Sequence, residues 1–215
     1  MRKVHGVGAS PYVRKVRVAL AEKGLDYELV PVMPFNVSDD FKKISPLGKI
    51  PVLEEDGQLI PDSSVIIDYL ENTQPATSLI PKEPRQRAQA LFLEEFADGG
   101  ISAKGTGVIF FQRVIGPLFM GQPTDEAAVE KAIKQDMPPL LAYLESQLAG
   151  GKEFLVGNSM SVADIAVTSQ FVNLSFGNYT VDAAAYPNLA RYLARMFERP
   201  SFAKCIAEDR AAFGR

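Results

Sequence analysis

The chain changes its hydrophobic period part-way along, and that change constrains the architecture more than any single residue does. As far as Glu71, short apolar runs alternate with amphipathic segments; after the proline-bearing stretch Ala76 to Pro84, the patterning is almost wholly helical. Lys3 to Val7 reads as a strand. Ser10-Pro11 then opens a helix, with serine at the N-cap and proline in the first helical position. Val13, Val16, Leu20 and Ala21 recur at helical spacing before Gly24 ends the segment. Arg14, Lys15 and Arg17 fall largely between these apolar positions and read as a solvated helix face. Tyr27 to Val32 is predicted as a strand and Asp39 to Ile44 as a short helix. Pro51 to Glu55 and Gln58 to Ile60 flank Asp56-Gly57, a hairpin signal, and Ser63 to Glu71 is a further helix.

The order strand, helix, strand, helix, hairpin, helix describes a small α/β domain. Beyond the linker, helices are predicted over about Pro84 to Asp98, Asp125 to Ala149, Val162 to Phe176, Pro187 to Arg199 and Ser201 to Ala211. Gly99-Gly100 and the pair Gly105 and Gly107 are expected to interrupt the first of these. Residues 1–78 and 85–215 are therefore expected to be separate domains, the second all-α. Ser161 and Asp164 resemble a capping box at the start of a buried helix, a structural feature.

Composition removes several function classes. The 215 residues carry 23 basic and 26 acidic side chains, a net charge of -3, which gives no broad electrostatic reason to bind nucleic acid or a membrane. No apolar run is long enough to span a bilayer, and the start from Met1 to Val7 lacks the apolar segment of a secretory signal. One cysteine, Cys205, excludes an internal disulfide and a Cys-rich metal site. One histidine, His5, leaves little from which to build a zinc site or a His-based triad, and a packed or surface side chain is the simpler reading. A cytoplasmic protein without a metal is expected.

Three segments, in order, make the chain resemble a cytosolic glutathione transferase: Ser10 to Arg17, reading Ser-Pro-Tyr-Val-Arg-Lys-Val-Arg; Ser45 to Leu53, reading Ser-Pro-Leu-Gly-Lys-Ile-Pro-Val-Leu; and Asp62-Ser63. A fourth, Gly157 to Asp164, resembles the family's helix-start motif in its second domain. The resemblance implies a thioredoxin-like N-terminal domain that binds glutathione and an all-α C-terminal domain that holds a hydrophobic electrophile. It also implies a homodimer.

Residue by residue, the resemblance places the Ser10 hydroxyl beside the glutathione sulfur. It implies a cis bond between Ile50 and Pro51, where the local sequence alone reads as a trans strand-start proline, and backbone pairing of Val52 with the cysteinyl unit. Asp62 and Ser63 cap a helix and, by resemblance, receive the γ-glutamyl end of the tripeptide. The family more often carries Glu or Gln at the first of these positions. Lys49 is a candidate for the glycyl carboxylate, with a solvated lysine the plainer reading. Tyr12, Phe110 and Phe111 are candidates for the electrophile pocket, the two phenylalanines being equally well read as aromatic core.

Magnitudes make a serine sufficient for the chemistry. A free thiol ionises near pH 8.5, and lowering that by about two units requires roughly 2.7 kcal/mol of preference for the thiolate. A hydrogen bond to a charged group supplies about 1.5–3 kcal/mol and a helix N-terminus about 0.3–1 kcal/mol. Conjugation to an electrophile is the leading expectation; a glutathione-dependent peroxidase or isomerase would use the same site. Isomerase members typically begin their first helix Ser-Ser-Cys, whereas this chain reads Ala9-Ser10-Pro11-Tyr12. Members that reduce mixed disulfides place cysteine where Ser10 stands, and serine cannot form that bond. A non-enzymatic regulatory or interaction protein of the same fold is the alternative from a different class. The presence of Ser10, Pro51 and Ser63 weighs against it.

Overall fold

A computed structural model describes residues 1–35 and 37–213. It resolves into two compact units, Met1–Ile80 together with the segment from Arg199 onward, and Pro81–Glu198.

The first unit is built on a four-stranded mixed sheet in the order β2-β1-β3-β4. The strands β1 (Arg2–His5) and β2 (Tyr27–Val30) run parallel, joined by α1 (Pro11–Glu22). After α2 (Asp39–Ile44), β3 (Val52–Glu55) runs antiparallel to β1 and β4 (Gln58–Pro61) antiparallel to β3. Asp56 and Gly57 both take left-handed φ angles, 50° and 79°, as a two-residue hairpin turn requires. α3 (Ser63–Thr73) then packs beside α1. Val13, Val16 and Leu20 of α1 meet Val4, Val52, Leu53, Ile66 and Leu70 in one core, the apolar face that the helical spacing predicts. At the end of α1, Gly24 sits at φ 68° and the Leu25 N–H closes back onto the Leu20 carbonyl at 2.9 Å. The linker is not loose at its start: the Glu71 carboxylate accepts the Leu79 N–H at 2.9 Å and the Lys23 ammonium at 3.0 Å, and Leu79 and Ile80 are buried.

The second unit is helical. α4 (Pro84–Glu95) begins at a proline, capped by Glu83, whose carboxylate accepts the Arg85 and Gln86 N–H groups at 3.0 and 2.8 Å. It continues as a wider, π-type helix over Phe96–Ile115 and ends in the short α5 (Gly116–Met120). The expected break at the glycines does not occur. Gly105 and Gly107 lie inside the wide helix, where an added Cβ would come within 2.8 Å of the Met137 sulfur and 2.9 Å of the Ser102 carbonyl oxygen respectively. They are places where other atoms approach the backbone closely, not helix ends. α6 (Glu126–Lys131), a π-type turn Ala132–Asp136 and α7 (Pro138–Gln147) occupy the segment predicted as one long helix.

α8 (Val162–Phe176) is the buried centre of this unit and packs on α4 and on the wide helix; α9 (Pro187–Glu198) comes next. The expected capping box is present. Asp164, wholly buried, accepts the Ser161 N–H at 2.9 Å and the Ser161 hydroxyl at 3.0 Å. Its other oxygen accepts the Leu155 N–H and the Tyr192 hydroxyl, both at 2.9 Å. Burial pushes the Asp164 carboxyl above its ordinary value, against the pull of these donors.

The division differs from the sequence expectation at its end. α10 (Pro200–Ala212), expected in the helical domain, packs on α1 in the first unit. Glu22 at the end of α1 accepts Arg199 Nε and Nη2, each at 2.7 Å.

Replacing Asp164 by alanine strands two buried amides and the Tyr192 hydroxyl. At about 1–3 kcal/mol per orphaned group before relaxation, we expect Asp164→Ala to lose about 3 kcal/mol, measured from urea unfolding midpoints.

Candidate active site

The sheet register brings three connections to one end of the first unit. His5, the last residue of β1, stands opposite Val52, the first of β3, and Val52 stands opposite Pro61, the last of β4. The β1–α1 loop, the turn before β3 and the β4–α3 junction therefore leave the sheet together. Two contacts tie them further. A Cβ added at Gly6 would sit 2.5 Å from Val13 Cγ2 and 3.4 Å from Ile50 Cβ, so the loop that leads to Ser10 lies directly on Ile50. The Asp62 N–H donates to the Pro51 carbonyl at 3.2 Å.

Ser10 is the N-cap of α1, with an extended backbone (φ -71°, ψ 128°), and is half-buried. Its hydroxyl accepts the Val13 N–H at 3.5 Å, a long contact. As an acceptor there, it keeps its proton for another partner. Pro11 gives the helix its fixed start.

The Ile50–Pro51 bond is cis, as the resemblance implied. Val52 is fully buried, and Pro61 opposite it has no N–H to give to the ladder. Lys49 is exposed, while its backbone is pinned: the Ser45 hydroxyl accepts the Lys49 N–H at 3.1 Å and donates to the Lys49 carbonyl at 2.7 Å.

Asp62 takes a left-handed φ of 78° and caps α3, its carboxylate accepting the Ser64 and Val65 N–H groups at 2.9 and 3.2 Å. Ser63, the first residue of that helix, is 3% exposed. Lys15 comes from α1 to the same place. Its ammonium donates to the Ser64 hydroxyl at 3.0 Å and sets a positive charge at the N-terminus of α3.

The structure corrects the reading of Arg14, Lys15 and Arg17 as a solvated face: they are 0%, 0% and 2% exposed. α10 covers them. Asp209 accepts Arg14 Nε and Nη2 at 2.9 and 2.6 Å, and Arg17 Nη1 stands 3.4 Å from its other oxygen. Arg17 also pairs with Glu208 and donates from Nε to the Tyr27 hydroxyl at 2.9 Å. Nothing near these residues in the chain marks partners more than 190 positions away. Cys205 is buried beside them; burial pushes its thiol up and outweighs the pull of Arg17 and Arg14, which makes it a poor nucleophile. His5 is a packed side chain, its Nε2 2.9 Å from Glu54.

Ser10, Ile50, Pro51, Val52, Asp62 and Ser63 thus share one end of the first unit, and Lys49 borders it in solvent. Tyr12 lies half-buried in the first turn of α1. Phe110 (buried) and Phe111 (half-buried) lie on the wide helix of the second unit. Among the described residues, no group of three or more His, Cys, Asp or Glu side chains is arranged to hold a metal ion, and no helix is long and apolar enough to cross a membrane.

The chain matches the family model for the glutathione S-transferase N-terminal domain over residues 4–78 and that for the C-terminal domain over residues 110–209. It is 31% identical to a maleylacetoacetate isomerase from Rattus norvegicus over 181 residues, 82% of this chain and 78% of that protein. A glutathione S-transferase from Rhodospirillum rubrum F11 superposes with a TM-score of 0.87 at 29% identity, over 95% of this chain and 91% of that one. A glutathione S-transferase-I solved with lactoylglutathione superposes with a TM-score of 0.83 at 25% identity, over 96% of this chain and 98% of that one. The chain belongs to the glutathione S-transferase family, with a thioredoxin-like N-terminal domain followed by a helical one.

Asp62 offers a local test of the cap. Asn tolerates a left-handed φ and still accepts from the N–H groups of a helix start. Asp62→Asn is expected to stay within about 0.5 kcal/mol of the parent, and Asp62→Ala to lose about 1 kcal/mol or more, both read by thermal or urea unfolding.

Proposed function

We propose that this protein binds glutathione at the shared loop end of its first unit and presents the sulfur, as a thiolate, to a hydrophobic electrophile. The observation that carries the reading is the Ser10 hydroxyl at the N-terminus of α1, its acceptor side toward its own helix and its proton available to a sulfur anion. The helix end adds its partial positive charge. Val52 is proposed to offer backbone to the cysteinyl unit in the manner of an added strand, Pro61 opposite it having no N–H to donate. Ser63, the start of α3 and the Lys15 ammonium suit the γ-glutamyl carboxylate, and Asp62 the neighbouring ammonium. Lys49, free to swing in solvent, suits the glycyl carboxylate.

The chemical step needs no further group from the chain. The thiolate donates an electron pair to an electrophilic carbon, a C–S bond forms, and the displaced group leaves with the pair it held. Within the first unit, Tyr12 is assigned to the electrophile's side. A second reading, glutathione-dependent isomerisation, is favoured by the 31% identity to a maleylacetoacetate isomerase. There the thiolate adds to a conjugated cis double bond, the bond rotates, and the thiolate leaves again, so glutathione is recovered. The two readings separate by stoichiometry: conjugation consumes one glutathione per turnover and isomerisation consumes none. Peroxide reduction would instead yield oxidised glutathione.

We place the enzyme in the cytoplasm, where glutathione is held reduced, and assign it a homodimer. Leu91 and Phe92 on α4 and Val65 on α3 are exposed apolar side chains of the sort that a partner subunit covers. Light scattering at working concentration is expected to give twice the chain mass; a monomer would contradict the assignment.

Ser10→Ala is expected to lower turnover about 10- to 100-fold, the equivalent of the 1.5–3 kcal/mol of a hydrogen bond to a charged group. Its unfolding midpoint should change little beyond the loss of a weak cap. Assays with an aryl halide and with a maleyl-type acid, each with glutathione, read both outcomes. Unchanged turnover on every substrate would remove Ser10 from the mechanism.

A further inference from the structure

The loop that carries Ser10 rests on a buried ionic cluster supplied from the far end of the chain. A Cβ placed on Gly8 would come to 2.5 Å from Asp209 Oδ1 and 2.7 Å from Arg17 Nη1, so the backbone two residues before Ser10 lies directly on that pair. On the other side of Ser10, the Arg14 N–H closes the first helical turn onto the Ser10 carbonyl at 2.9 Å. The Arg14 side chain is held by Asp209 through Nε and Nη2 at 2.9 and 2.6 Å. Asp209 therefore touches the chain both before and after the serine. All three side chains are buried, Arg14, Arg17 and Asp209 being 0%, 2% and 2% exposed. A buried pair of this kind adds little net stability over an apolar filling of the same shape. What its planar guanidinium groups add is a fixed direction.

We propose that Asp209, on the last helix, is a positioning residue for Ser10: by clamping Arg14 and Arg17 beneath Gly8 it fixes the loop from which the hydroxyl meets the glutathione sulfur. The inference rests on the assignment of Ser10 to the thiolate. It makes the end of the chain part of the glutathione unit in function as well as in packing.

Two variants disturb the device from opposite sides. Asp209→Asn keeps the shape and removes the charge that holds the arginines. Gly8→Ala leaves all three charges in place and presses a methyl group against the Asp209–Arg17 pair, which must shift to admit it; Gly8 has no left-handed φ, so the backbone itself admits alanine. Each is expected to lower kcat about tenfold and to move the acid limb of the pH profile of kcat/KM for glutathione upward by about one unit, a tenfold change in thiolate fraction. The dissociation constant for glutathione, measured by calorimetry, should change less than about threefold, and the two substitutions together should do little more than either alone. In a Ser10→Ala background, Asp209→Asn should leave the acid limb where it is.

A folded Asp209→Asn and a folded Gly8→Ala that both keep the parent's acid limb would overturn the proposal. So would an undiminished shift in the Ser10→Ala background. If Asp209→Asn fails to fold, Gly8→Ala carries the same test with every charge retained. Should Ser10→Ala itself leave turnover unchanged, the thiolate assignment fails first. Loss of turnover in Ser10→Ala with a silent Asp209 and a silent Gly8 defeats only the inference.

Discussion

The pairing of β3 between β1 and β4 is the constraint on which the site depends. His5, Val52 and Pro61 stand in one row across the sheet, and because of that row the loops bearing Ser10, Pro51 and Ser63 leave from one end. A slip of one residue would turn every side chain of β3 to the opposite face, and Val52 and Leu53, both fully buried, would exchange the neighbours they pack against. The apolar face that drives folding and the alignment that gathers the site are thus the same fact. Gly6 joins the two, since only a residue without a Cβ lets the loop lie on Val13 and Ile50.

Much of this was legible in the amino-acid order. Ser10-Pro11 announces a helix start, Asp56-Gly57 a hairpin, and Ser161 with Asp164 a capped helix, because each is local chemistry that acts over four residues or fewer. The cis bond at Ile50–Pro51 was implied by resemblance alone. What could not be read is what depends on chain return. Arg14, Lys15 and Arg17 carry the charge pattern of a wet surface, but Asp209 of α10 receives the two arginines and Ser64 of α3 the lysine, and all three are interior. The glycines of the wide helix misled for a related reason. Gly107 is crowded by a carbonyl one wide turn back and Gly105 lies against the Met137 sulfur, and neither neighbour is visible to a window that treats glycine as a breaker.

The electrostatics obey a single plan. The first unit buries three cations on α1 and answers two of them with a carboxylate from α10, while the third, Lys15, is delivered to the N-terminus of α3. The one thiol of the chain, Cys205, is pushed toward its protonated form by burial. A protein arranged in this way does not use its own sulfur. On the proposed reading, it lowers the cost of charge on a sulfur that arrives from outside.

The most direct measurement of that claim is an ultraviolet titration of the thiolate of glutathione bound to the unaltered protein. The account predicts that the bound sulfur ionises about two units below the value of about 8.5 for a free thiol. A bound sulfur that titrates like free glutathione would contradict it.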